Sequence, residues 1–90
     1  MHTLSDDLSR RDVRILRYIV SFRQELGISP TYREIQRFLG LSSTEQVLRS
    51  VRRLKALGLL SSNPNLGGLS RNLIPTALGI RYIRDIDDSN

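Results

Sequence analysis

Between Ser43 and Leu57 the sequence places Glu45, Gln46, Arg49, Arg52 and Arg53 at intervals that bring them together only if the segment is helical. At 100° per residue, Val47, Val51 and Leu54 share one line, and Glu45, Arg49, Arg52 and Arg53 occupy the opposite face, with Gln46 at its edge. A guanidinium can grip guanine through O6 and N7, a carboxamide can pair with adenine, and a carboxylate can accept from a cytosine amino group. Each good bidentate contact is worth about 1–3 kcal/mol of discrimination between bases. The basic residues are almost all arginine, Lys55 being the only lysine. The planar arginine fork matches phosphate and guanine edges in a way an ammonium does not.

Other chemistries find few residues to carry them. His2 is the sole histidine and falls in a terminal tail, there is no cysteine, and Gly67-Gly68 lacks the lysine and following helix of a phosphate-cradling loop. Asp85, Asp87 and Asp88 read as a solvated tail rather than a metal site. No catalytic residue, metal or cofactor is expected, and the chain is not read as an enzyme. A net charge of +5 and a pI near 10.7 favour a polyanionic partner, with the positive charge in the middle of the chain and both ends acidic. No apolar run approaches the roughly 20 residues of a membrane span, and the N-terminus does not resemble a secretory leader. A cytoplasmic location follows as the default, nucleoid-associated if the partner is DNA.

Four helices and a hairpin must position these residues. Ser9 with Asp12 starts the first, which runs to Leu26 before Gly27 with Arg10, Arg14, Arg17, Ser21 and Gln24 on its polar side. Pro30 biases Ser29 toward extended backbone, so Ile28-Ser29 is expected as a short strand segment. Thr31 with Glu34 caps a second helix, carrying Ile35 and Leu39 and closed by Gly40. Ser43 with Gln46 is expected to cap the third, ended by Gly58. Two helices so tightly linked read as a helix-turn-helix. Leu59 to Ile74, interrupted by Asn63-Pro64-Asn65 and Gly67-Gly68, reads as a β-hairpin, and Thr76 caps a last helix with Ile80, Ile83 and Ile86 at helical spacing and Tyr82 beside them. The predicted fold is mainly α with a small β-hairpin (α+β): a winged helix-turn-helix with a three-helix core, a wing and a C-terminal helix. Residues 1–8 are expected as a flexible tail, 9–75 as the winged domain, 76–87 as the C-terminal helix and 88–90 as a tail.

Leu8-Ser9-Arg10-Arg11, Gly27 through Ile35 with its Pro-Thr-x-x-Glu-Ile stretch, Leu39 through Ser43, and Leu54 through Leu60 resemble, in residue type and interval, the DNA-binding domain of LexA-family repressors. The resemblance covers about Leu8 to Ile74, and Ser70-Arg71 falls where such wings carry Ser-Arg. It implies a sequence-specific double-stranded DNA-binding regulator, most naturally a repressor. The recognition helix would be Ser43–Leu57 in the major groove, and the wing Leu59–Ile74 on the backbone or minor groove. The self-cleaving domain of those repressors is not expected here, so neither cleavage nor its induction logic carries over. The closing segment from Pro75 to Ile83 resembles the terminal dimerisation helix of small winged-helix regulators. A homodimer on an inverted repeat is therefore expected.

The residues assigned to base reading are Ser43, Glu45, Gln46 and Arg49; those assigned to the DNA backbone are Thr31, Tyr32, Arg33, Thr44, Arg52, Arg53, Asn63, Asn65 and Arg71, with Arg71 at a phosphate or in the minor groove. Ile80, Tyr82, Ile83 and Ile86 are assigned to dimerisation. Blander readings stand beside these: Glu45 favouring the positive helix end, Gln46 serving only the cap, Arg52 and Arg53 forming a solvated face, Thr31 only capping and Tyr32 only packing. Two other functions remain open, a winged-helix protein–protein adaptor and a DNA-binding accessory factor in replication or recombination.

Overall fold

The computed structural model describes residues 8–63 and 71–89. In chain order it contains α1 (Arg10–Leu26), α2 (Tyr32–Leu39), α3 (Thr44–Ala56), β1 (Leu60–Ser62), β2 (Leu73–Pro75) and α4 (Ala77–Asp88). Asn65, Gly67, Gly68 and Ser70, His2, and most of the expected N-terminal tail lie outside the described residues.

Two helices begin with the capping boxes their sequences predict. Ser9 Oγ accepts from the Asp12 N–H at 3.1 Å while the Asp12 carboxylate accepts from the Ser9 N–H at 3.0 Å. Thr31 and Glu34 repeat the exchange at 3.0 and 2.8 Å. The third start differs. Ser43 occupies the N-cap with no side-chain cap bond, and the Gln46 amide oxygen instead accepts from the N–H and the hydroxyl of Ser42, at 3.0 and 3.2 Å. Gln46 thus bonds the residue before the cap, where Glu34, a side chain of the same length, closes its box on Thr31. Gly27, Gly40 and Gly58 end the first three helices with positive φ, the region where a Cβ is penalised.

The strands pair antiparallel with Leu60 opposite Pro75 and Ser62 opposite Leu73, forming the base of the wing. The expected strand at Ile28-Ser29 does not form. Ser29 is buried, its hydroxyl donates to the Leu73 carbonyl, and Arg23 donates to that hydroxyl at 2.6 Å. A side chain thus performs the tie that a ladder would have made.

The core gathers Ile15, Leu16, Ile19 and Val20 of α1, Ile35 and Leu39 of α2, Val47, Val51 and Leu54 of α3, the strand-region residues Leu59, Leu60 and Leu73, and Ile83 of α4. Burying each such side chain contributes about 1.5–3 kcal/mol relative to exposure. α1 contacts α2, α3, α4 and β2, which makes it the scaffold for the rest. α4 is seated at the α3–β1 corner. Thr76 donates its hydroxyl to the Gly58 carbonyl at 2.6 Å and accepts from the Gly79 N–H at 3.0 Å, and Gly79 lies so close to the Leu59 carbonyl that a Cβ would meet its oxygen at 2.2 Å.

Candidate nucleic-acid interface

The buried line of α3 fixes what its other face can do. With Val47, Ser50, Val51 and Leu54 buried, Glu45, Arg49, Arg52 and Arg53 are held at the surface and Thr44 is exposed beside them. Glu45 and Arg49 form an i,i+4 pair at 3.3 Å with both side chains about 70% exposed, a geometry worth little energetically and easily exchanged for another partner. Gln46 is half-buried and Ser43 half-buried at the helix start.

The start of α2 lies beside this face. The two helices are in contact; burial raises the pKa of the Tyr32 hydroxyl, and the positive charge of Arg52 on α3 opposes that shift. Tyr32 packs against the core, Thr31 is occupied as a cap, and Arg33 is exposed. The free N–H groups of a helix start suit an anion.

Two expected phosphate ligands are used by the protein itself. Arg53 donates to Asp12 at 2.8 Å; the carboxylate is fully buried, while the Arg53 side chain remains 46% exposed. Burial pushes the Asp12 carboxyl up. The adjacent Ser50 hydroxyl, hydrogen bonds from the Ser9 N–H and Arg53, and the Arg53 charge outweigh it and hold the pKa below the ordinary value. Arg11 donates to the Ser50 hydroxyl at 3.0 Å, adding a second tie between α1 and α3.

Arg71, expected at a groove or phosphate, is bound to the protein itself at a half-exposed position. Its guanidinium binds Glu34 with both terminal nitrogens, at 2.8 and 3.2 Å, and donates to the Ser29 carbonyl at 3.0 Å. Those bonds, then the Thr31 N–H, lower the Glu34 pKa. Arg71 therefore clamps the wing to the start of α2. Asn63 continues the hairpin by donating its N–H to the Asn72 carbonyl at 3.0 Å, and Asn65 is not among the described residues.

The residues assigned to dimerisation also divide. Ile83 is 5% exposed and belongs to the core, and Ile80 and Tyr82 pack against it, so the apolar stripe of α4 covers the chain's own α1 rather than facing outward. Ile86 is half-buried. Sequence reasoning missed Asp12 and Glu34 as tertiary acceptors. Their cap spacing was the visible signal, and it did not reveal the second partner.

Helices α2 and α3 joined by a short turn, an exposed cationic face on α3 and a two-stranded hairpin behind it define a winged helix-turn-helix DNA-binding domain. Residues 5–67 match the family described as LexA DNA binding domain, and the chain belongs to it. The chain is 42% identical over 69 residues to a LexA repressor of Roseiflexus sp. (strain RS-1), covering 77% of this chain and 30% of that protein. It is 35% identical over 77 residues to a LexA repressor of Herpetosiphon aurantiacus, covering 80% and 36%. A LexA repressor of Ligilactobacillus salivarius is 42% identical over 55 residues, covering 61% and 27%. The chain thus spans about a third of the length of the curated relatives it matches. No helix among the described residues is long and apolar enough to cross a membrane.

Proposed function

We propose that the chain is a transcriptional repressor that binds a specific double-stranded sequence, with α3 in the major groove and two copies on an inverted repeat. The observation that carries this reading is the face of α3. Glu45, Arg49 and Arg52 stand exposed on a helix whose opposite side is core, beside the capped start of α2. Arg49 reads guanine once it exchanges Glu45 for the base, with Ser43, Glu45 and Gln46 at neighbouring edges. Thr31, Tyr32, Arg33, Thr44, Arg52 and the half-exposed Arg53 fix the helix on the phosphates. Half-sites lie about 10 bp apart, one turn of the duplex, and affinity falls steeply with salt.

Selection of bound sequences from a random duplex pool at physiological salt tests the proposal. An enriched palindrome is expected; no enriched sequence overturns it. Arg49→Ala is expected to relax preference at one position by about 1–3 kcal/mol, and Arg52→Ala to weaken all duplexes alike. Uniform loss from both substitutions would remove base reading from Arg49.

A further inference from the structure

Both phenylalanines of this chain lie outside the core, whose buried apolar members are all aliphatic. Phe38, at the end of α2, is 66% exposed and stacks on Tyr18 of α1, ring centroids 4.2 Å apart and planes 22° apart; Phe22 joins at 5.6 Å from Tyr18. Arg14, Arg17 and Ser21 complete an open cleft of about 190 Å³ around the stack. A surface of aromatic rings beside arginine has the composition of interface anchors rather than of ordinary solvent-facing surface.

The charge around this surface identifies what covers it. On one side Arg14 is exposed, with no ion-pair partner among the described residues. On the other, Arg17 donates to Asp87 at 2.8 Å, and exposed Asp88 lies beside it next to α1, with one cation, Arg84, on the same stretch of α4. A basic, aromatic half and an acidic half therefore adjoin across the Arg17–Asp87 pair. The acidic half disfavours a nucleic acid here. A two-fold contact requires a patch and its complement on one continuous surface, so that each copy supplies what the other lacks.

We propose that this surface binds a second copy of the chain: the aromatic stacks of the two protomers meet near the axis, and Arg14 of each faces the acidic α4 end of the other. The inference rests on the proposed two-copy repressor and moves its contact from the apolar stripe of α4 to the outer faces of α1 and α2.

Sedimentation equilibrium of the full chain at low salt tests it, at a concentration on the order of 100 µM that saturates a micromolar association. A dimer is expected. Phe38→Asp and Arg14→Asp should each raise its dissociation constant about tenfold or more, and salt near 0.5 M should weaken it. Combining Arg14→Asp with Asp88→Arg should restore much of the association. Leu78→Asp, at a residue 45% exposed on α4, should leave it within about twofold. Unchanged far-UV circular dichroism shows that each variant folds, since Phe38 and Arg14 are surface residues. Affinity for a duplex carrying one half-site should be the same for Phe38→Asp and the natural chain, which separates failure of this contact from failure of DNA recognition. A monomer under these conditions would overturn the proposal and leave the face to a different protein. Dissociation by Leu78→Asp but not by Phe38→Asp would overturn it as well.

Discussion

Arg53→Ala isolates the pin between α1 and α3. It leaves Asp12 fully buried without its cation, although the Ser9 N–H and the Ser50 hydroxyl remain. Breaking a buried pair from one side costs about 3–5 kcal/mol. Here the Arg53 side chain is 46% exposed, so solvent already screens part of its attraction, and about 2 kcal/mol is expected at neutral pH. In a domain of this size that is a fall in Tm of roughly 8–16 °C. The sign of the pH dependence is the sharper test. In the natural chain the Asp12 pKa is depressed, so its contribution is full above the unfolded-state value near 4 and is lost as pH falls through the lower folded value. Without Arg53, its hydrogen bond and its charge no longer oppose burial, the folded pKa rises, and protonation relieves part of the cost. The stability gap between natural chain and variant, measured by urea denaturation at each pH, should therefore narrow from pH 6 to pH 3. In an Asp12→Ala background Arg53→Ala should cost less than about 0.5 kcal/mol. A gap that widens on acidification, or equal losses in both backgrounds, would refute the reasoning.

Gly79→Ala should destabilise by about 3 kcal/mol in thermal denaturation, because the added Cβ meets the Leu59 carbonyl oxygen, a backbone atom that cannot step aside. Ile83→Asp should abolish the helical circular dichroism signal by placing an unpaired charge in the core; a folded monomer would show that α4 is detachable. Glu34→Gln should cost no more than about 1 kcal/mol, since both partners of its pair are over a third exposed, and should free Arg71 for phosphate. The slope of log affinity against log salt should then steepen by about one; an unchanged slope would show that Arg71 is held by more than that pair.

Local chemistry was the legible part of the sequence. Ser9 with Asp12, Thr31 with Glu34, and the glycines at 27, 40 and 58 mark helix ends because caps and positive φ act over a few residues. The line of Val47, Val51 and Leu54 showed which face of α3 is inward and hence which charges are outward. Spacing carried no signal for contacts between distant segments. Arg53 and Arg71 look like free cations in the chain and meet carboxylates 41 and 37 residues away in the fold. The periodicity of Ile80, Ile83 and Ile86 gave α4 an apolar stripe without saying whether its own core or another copy would cover it. At α3, Ser43 and Gln46 had cap spacing, but Gln46 bonds Ser42 and the box does not close.

The two carboxylates that start α1 and α2 also receive the two long-range arginines. Asp12 holds the Ser9 N–H and Arg53, and Glu34 holds the Thr31 N–H and Arg71. Fraying at either helix start thus loosens a tertiary lock, and undocking of α3 or of the wing withdraws support from a helix start. In α1 and α2 the first turn is not a place where the molecule can open independently. Hydrogen exchange at the amides of Asp12 and Glu34, which would ordinarily proceed by local fraying, is expected to require a larger cooperative opening that includes the surface offered to DNA.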